Sequence, residues 1–281
     1  MVNGIVLVDK PKGISSNTVA NIVKKALKAD KAGHLGTLDV LGHGLLPVTL
    51  GKSTKLFDYF LNKDKVYEAS FRFGVETDTF DLEGEVVKTD NKAITEKDVL
   101  RIIPSFIGKF DQLPPAYSAK KINGRKAYDL ARAGQEVVLK TKQIEIYGLN
   151  LLKQIADNEF LFRIHCSSGT YIRSLCRDMA ASLSTCGVMS DIIRTRCGNL
   201  SLEDAVSLED IKSGKYTLLQ PESMFKLPEI FLSNEESLKV LNGVQIKLLH
   251  DDGDYKIFGT TGFIGIGNIK SNILSMKLRL I

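Results

Sequence analysis

Residues 33–47 read Gly33-His34-Leu35-Gly36-Thr37-Leu38-Asp39-Val40-Leu41-Gly42-His43-Gly44-Leu45-Leu46-Pro47. Glycines at 33, 36, 42 and 44 exclude a comfortable helix or strand interior, so the stretch is a loop between regular elements. Asp39 is its one acid, set among apolar neighbours and flanked by two histidines. Burying a carboxylate there disfavours its ionised form unless a cation or hydrogen-bond donors face it. A surface turn with Asp39 as a cap is the other reading these residues allow.

Working outward, residues 4–8 (Gly-Ile-Val-Leu-Val) predict a buried strand that ends in the Pro11 and Gly13 turn. A helix over residues 16–28 follows, with Ser15, Ser16 and Asn17 as caps and Val19, Ala20, Ile22, Val23, Ala26 and Leu27 as its apolar stripe. Lys24, Lys25, Lys28 and Lys31 suit its C-terminal end electrostatically, and a phosphate contact is their second reading. Beyond the loop come a strand at 45–50 and a helix at 53–61. Gly51-Lys52-Ser53 is not a phosphate-binding NTPase loop, because Leu46 stands where that loop needs glycine.

Residues 65–73 alternate, with Tyr67, Ala69, Phe71 and Phe73 on one face. The acids of residues 76–81 read as turn residues rather than a metal site. Thr95-Glu96-Lys97-Asp98 opens a helix in the manner of a capping box. Residues 124–134 read as a helix with a basic face and a glycine stop. Lys120, Lys121, Arg125, Lys126 and Arg132, interleaved with Tyr117 and Tyr128, suit RNA, where cations hold phosphates and aromatics stack on bases. A solvated helix face is the alternative. Residues 137–151 and 158–166 predict a hairpin, 172–183 a helix and 188–197 a further strand. Pro221 and Pro228 bracket a linker, and glycine-punctuated apolar pieces after it predict a small β-rich domain.

The elements come in irregular order rather than strict β-α-β alternation. The expected fold is therefore mixed α/β (α+β): a large, mainly antiparallel sheet flanked by helices, with a small β-rich C-terminal domain. The expected division is 1–226, carrying an insertion around 105–140, and 227–281. The 281 residues are 43% hydrophobic and 25% charged, which excludes a disordered chain. A net charge of +5 is compatible with a polyanionic partner without requiring one. Cys166, Cys176, Cys186 and Cys197 lack C-x-x-C spacing and read as reduced, buried thiols of a cytoplasmic protein. Neither a secretory signal nor an apolar run long enough to span a membrane is visible.

Several motifs together resemble the TruB family, the bacterial tRNA pseudouridine synthases that modify uridine 55 in the T loop. The central loop is similar to G-H-T-G-T-L-D-P-x-A-T-G-x-L-P through His34, Gly36, Thr37, Leu38, Asp39, Gly44 and Pro47, and departs from it at Leu35, Val40, Gly42 and His43. Gly4 to Ser16 resembles the opening G-x-x-x-x-D-K-P-x-G-x-[ST]-S. Tyr67 matches K-x-Y, residues 77–81 match T-D-T-x-D, and residues 112–121 match Q-x-P-P-x-[FY]-S-A-x-K. Residues 124–134 match G-x-x-x-Y-x-x-A-R-x-G, and 166–173 match C-S-x-G-T-Y-I-R. In the L-R-R-T-R segment Ile192 keeps the apolar place and Ile193 replaces an arginine.

The resemblance implies a pseudouridine synthase fold and a cytoplasmic isomerase that needs neither cofactor nor metal. Its partner would be the tRNA T stem-loop, and no obligate protein partner is evident. Turning uridine into pseudouridine breaks the N1 glycosidic bond, turns the uracil and rejoins it through C5. One carboxylate must act and a C5 proton must leave. Asp39 takes the nucleophile's role, whether by attack at C6, attack at the sugar or elimination. Arg173 is the candidate cationic partner for it, and Tyr67 stacks on the uracil or relays the proton. The base must be flipped out of folded RNA. His34 would sit where it leaves space, and Tyr171 and Ile192 would line its pocket. The alternatives are a loop-bonded neutral histidine for His34 and plain core for Ile192. Lys10 is expected to bind substrate, to pair with an acid near Asp39, or to close the first turn. Lys121 and Arg125 would hold tRNA phosphates. A synthase for another RNA, or a tRNA-binding and folding protein, are the rival readings.

Overall fold

The computed structural model describes residues 2–61, 63–117, 121–122, 125–126 and 139–280, with Leu61 and residues 121, 122, 125 and 126 given by backbone alone. Its centre is a nine-stranded sheet. The main path runs Gly4–Lys10, His43–Leu50, Gly187–Cys197, Lys65–Phe73, Glu159–Cys166, Lys142–Ala156, Gly108–Gln112. Two short strands, Ala32–His34 and Leu200–Ser201, pair off this path. The neighbours are antiparallel except at one junction, where His43–Leu50 runs parallel to Gly187–Cys197 through the pairs Ile193 with His43 and Arg194 with Gly44. The exit of the 33–47 loop feeds this junction.

Alternation builds the core. Tyr67, Ala69, Phe71 and Phe73 on one strand meet Phe160, Phe162, Ile164 and Cys166 on its neighbour, all buried, with the Phe71 and Phe162 rings 4.9 Å apart. Helices Glu96–Ile102 and Ile172–Ser182 cover this face through Val99, Leu175, Cys176 and Met179. The other face carries Glu68 paired to Arg163 at 2.7 Å. At the far edge the Gly4–Lys10 strand is buried on both sides. Val6 and Val8 pack on helix Ser16–Ala26, while Ile5 and Leu7 join Leu45, Phe60 and Leu200. Ile266, from a separate five-stranded sheet of residues 229–279, and Leu280, just past its last strand, reach that second cluster; the sheet has its own core of Ile230, Val240, Ile257, Ile269 and Leu274.

The fold class is thus the expected one, a mixed α/β sheet with helices and a β-rich C-terminal part. Local boundaries differ. The strand read at 137–151 is Lys142–Ala156, and its antiparallel pairing with Glu159–Cys166 is broken by bulges. The helix read at 53–61 is a 3-10 turn over Gly51–Leu56 followed by α-helix Phe57–Leu61. Thr54 donates its hydroxyl hydrogen bond back to the Gly51 carbonyl at 2.9 Å, which suits the tighter turn. In the basic arm, Lys121–Ile122 and Arg125–Lys126 pair as a short hairpin, so a helix does not begin at 124. Residues 127–138 lie outside the described residues. Among the described residues no helix is long and apolar enough to cross a membrane.

Gly44 has φ +88°, and a Cβ there would lie 2.6 Å from the Arg194 carbonyl oxygen across the parallel junction. Both the backbone conformation and the space demand glycine. Gly44→Ala should cost about 2 kcal/mol or more. Urea denaturation of the purified variant measures this, and a midpoint unchanged from wild type would contradict it.

Candidate active site

Helix Ser16–Ala26 fixes the loop first. The Ser16 hydroxyl is buried and bonds both the Leu38 amide (2.9 Å) and the Leu38 carbonyl (2.8 Å), holding the residue before Asp39. The Gly42 amide then closes a turn onto the Asp39 carbonyl at 3.1 Å. Asp39 projects from this turn with its side chain 44% exposed.

Its partner is Arg173, only 6% exposed, whose Nε lies 3.0 Å from Asp39 Oδ2. The rest of the guanidinium is also engaged. Nη1 donates to the Thr79 carbonyl (2.9 Å) and faces Asp81 Oδ2 (3.2 Å), while Nη2 donates to the Tyr117 carbonyl (3.0 Å). Asp81 is itself buried, with Oδ1 accepting from the Thr79 hydroxyl (2.6 Å) and the Glu83 amide (3.0 Å). Arg173 sits in the first turn of helix Ile172–Ser182, and the start of that helix is clamped. The buried Gln112 amide group accepts from Tyr171 N–H (2.8 Å) and donates to the Tyr171 carbonyl (3.1 Å).

Tyr67 is buried in the main core, and burial pushes its phenol well above the usual range. Ile192 is core as well, with its Cγ2 against Gly42. His34 is half-buried, its Nε2 3.1 Å from Asn17 Oδ1, and burial lowers its pKa, which favours the neutral ring. Asp39 and His34 thereby lie on the loop and its first strand, Tyr67 and Ile192 on the strands Lys65–Phe73 and Gly187–Cys197, and Tyr171 and Arg173 at the start of helix Ile172–Ser182. The Lys121 and Arg125 side chains lie outside the described residues.

Of the readings offered for Lys10, closing the first turn is the one its contacts show, and it is 0% exposed. Its ammonium donates to the carbonyls of Pro11 (3.1 Å), Val40 (3.2 Å) and Gly42, so it closes the turn after the first strand and braces the far side of the loop. Burial lowers its pKa to about 8, against the raising effect of the Asp39 and Glu83 carboxylates.

Sequence reading missed Asp81, Ser16 and Gln112 as parts of this machinery. Each lies inside one of the motifs, but the turn, cap and proline-flanked readings gave them local duties. Their partners are 92, 22 and 59 residues away, which no local pattern displays.

A carboxylate at the mouth of a loop, held by a buried arginine beside a sheet flanked by helices, is a site where one acid can act on a bound substrate. Residues 24–172 match the TruB family pseudouridylate synthase N-terminal domain. The chain is 40% identical to tRNA pseudouridine synthase B of Aquifex aeolicus (strain VF5) over 286 residues, covering 99% of this chain and all of that one. It is also 40% identical over 248 residues to tRNA pseudouridine synthase B of Clostridium kluyveri, covering 87% and 86% of the two chains. A chain in the structure of an H/ACA RNP bound to a substrate RNA containing 2'-deoxyuridine shares the fold, with TM-score 0.72 at 21% identity over 99% of this chain and 85% of that one. This chain belongs to the TruB family of pseudouridylate synthases.

Two expectations follow from the site. Arg173→Lys should slow turnover by about 100-fold or more with RNA affinity little changed, because a single ammonium cannot hold two carboxylates and two carbonyls in one plane. Single-turnover rates and filter binding on the same preparation separate the two effects. Lys10 sets the alkaline limb. Its charged form grips three carbonyls, so turnover should fall as pH rises through about 8. Its stability contribution runs the other way. The folded pKa is depressed from 10.5 to about 8, so the unfolded chain holds the extra proton between those values and stability from this group rises with pH across that window. A pH–rate profile beside urea melts at the same pH values tests both signs. A turnover plateau from pH 7 to about 10 would remove Lys10 from the alkaline limb.

Proposed function

We propose that this protein converts uridine 55 in the T loop of tRNA to pseudouridine, with Asp39 as the nucleophile acting on a base flipped out of the loop. One observation carries the reading: the exposed Asp39 carboxylate is held at 3.0 Å by Arg173, a guanidinium buried on every other side. Formation of pseudouridine in tRNA is supported by family membership and by the names of the relatives. The choice of position 55 is supported by the loop motifs quoted above.

Asp39 Oδ2 is oriented by Arg173, which also supplies positive charge beside the reacting carboxylate. Tyr67 lies behind the loop, where its ring packs the uracil or its hydroxyl relays the C5 proton. Tyr171 and Ile192 line the base pocket, and His34 occupies the space beside the displaced nucleotide. Lys121 and Arg125 hold tRNA phosphates and touch no reacting atom. The reading divides the chain at about residue 227, supported by the separate core of the second sheet. It places the enzyme in the cytoplasm with tRNA as its partner.

The test incubates the protein with an unmodified tRNA transcript and maps pseudouridine by carbodiimide-dependent reverse-transcription stops. A single stop reporting position 55 is expected, and it should disappear in Asp39→Asn while tRNA affinity stays within about ten-fold, or 1.4 kcal/mol. A stop only at another position would indicate a different RNA target, and binding without any stop would indicate a tRNA-binding protein. For the arm, Lys121→Ala with Arg125→Ala should flatten the dependence of log affinity on log salt by about one to two units. The single-turnover rate at saturation should change little. An unchanged slope would return both residues to a solvated surface.

A further inference from the structure

The loop that presents Asp39 is underlain by a second buried arginine, and the mechanism above gives it no task. Arg194 is 0% exposed and has no carboxylate at ion-pair distance among the described residues. Removing an unpaired guanidinium from water is costly, and a hydrophobic residue of similar volume would often serve packing as well. Its donors go to carbonyls at the two ends of the loop. Nε donates to Leu45 (2.8 Å) and Nη2 to Gly36 (3.1 Å). Nη1 has no partner at hydrogen-bond geometry among the described residues and lies 3.2 Å from where a Cβ on Gly36 would be.

Arg194 is also the cross-strand partner of Tyr67 in the antiparallel pairing of Gly187–Cys197 with Lys65–Phe73. Directly opposed residues of such a pair project to the same face with their Cβ atoms about 5 Å apart. The guanidinium is therefore the fixed positive charge beside the Tyr67 side chain. Burial raises the phenol's pKa, and the Arg194 charge works against that rise. Lys65 also comes close to Gly36, with its ammonium directed to the Lys63 carbonyl at 2.6 Å. Of the two cations, Arg194 is the one paired with the tyrosine across the strands.

We propose that Arg194 is a positioning residue of the isomerisation: from beneath the loop it ties the carbonyls of Gly36 and Leu45 together and sets the electrostatic environment of the Tyr67 phenol. It touches no substrate atom. It acts through the tyrosine and through the placement of Asp39. A neutral residue here would leave the phenol in an apolar, uncompensated site and release both ends of the loop. This rests on the isomerase reading with Tyr67 in the site, and one arm of the test is independent of turnover.

The experiment compares wild type with Arg194→Met, Arg194→Lys and Tyr67→Phe, using single-turnover rates at saturating tRNA, tRNA affinity, and NMR of protein labelled with ¹³Cζ-tyrosine. The Tyr67 resonance is assigned by its loss in Tyr67→Phe. In Arg194→Met the rate should fall by about ten-fold or more while affinity holds within about two-fold, the mark of an interaction that serves the chemical step. The Tyr67 resonance should move while the other tyrosine resonances stay in place. Arg194→Lys, which keeps the charge but not the fork, should return the resonance toward wild type and recover part of the rate. If Arg194→Met does not fold, judged by its thermal melt, Arg194→Gln takes its place with the same expectations. A wild-type rate in the neutral variant overturns the proposal. So does a reduced rate with an unmoved Tyr67 resonance, which would leave Arg194 as a brace for the loop alone. Failure of the isomerase reading itself would show differently, as absence of turnover in the wild type with the NMR response intact.

Discussion

The contact between Arg173 and Asp39 is the constraint on which the arrangement depends. It joins segments from four parts of the chain: the loop at 33–47, the turn at 79–83, the backbone at Tyr117 and the first turn of helix Ile172–Ser182. From that helix a planar guanidinium can satisfy the other three only in one orientation, because Nε, Nη1 and Nη2 each have their own acceptor. That orientation follows from the helix start, which Gln112 clamps through the Tyr171 backbone. Two carboxylates share the arginine, but unequally in environment. Asp81 is buried, hydrogen-bonded at Oδ1 and ion-paired at Oδ2, so it anchors; Asp39 is exposed and so can reach a substrate.

Beneath the loop the protein uses cations without carboxylates. Lys10 holds the carbonyls of Val40 and Gly42, and Arg194 those of Gly36 and Leu45. A glycine-rich loop has few side chains with which to fix itself, so its carbonyls are the groups left to hold. Charged donors make stronger bonds to them than neutral ones do. A carboxylate partner for either cation would neutralise the charge; a carbonyl does not. The underside of the loop therefore stays positive, on the side opposite the solvent-facing Asp39.

Periodicity made the sheet legible. The alternation at 65–73 and 158–166 is what a strand with one face on a core must show, and the diagonal ring contact of Phe71 with Phe162 follows from it. Asp39 and Arg173 were legible because each sits in a motif with little structural work for a charged side chain to do. Asp81 was not, since a T-D-T-x-D run accounts for itself as a turn and its Thr79 and Glu83 bonds are turn bonds; only the fold brings Arg173 to its second oxygen. Lys10 was legible only as a set of alternatives, since nothing local announces that three carbonyls will converge on it. In the basic arm Lys121–Ile122 pairs with Arg125–Lys126, and the rest of the helix expected over 124–134 lies outside the described residues.

Apart from the buried Leu35, the departures from the family pattern are not scattered in space. Val40, Gly42 and His43 are consecutive or nearly so, and His43 is the direct strand partner of Ile193, the position where an arginine is replaced. His43 Nε2 lies 3.2 Å from Asp191 Oδ1, which also holds Lys12 at 2.7 Å, so an ion pair from the strand bearing Ile192 sits beside the loop exit. Gly42 places its backbone close to Ile192 Cγ2, in a space where a Cβ would meet both Asp39 backbone atoms and that methyl at 3.4–3.5 Å. Without the proline that would stiffen the chain after Asp39, the Val40 carbonyl accepts from Gly13 N–H (2.9 Å) and from Lys10 (3.2 Å). The rigidity a ring would give through φ is supplied here by the turn that follows the first strand. That turn thus acquires a second duty: the segment that ends the sheet's edge strand also holds the Asp39 loop in register with Arg173.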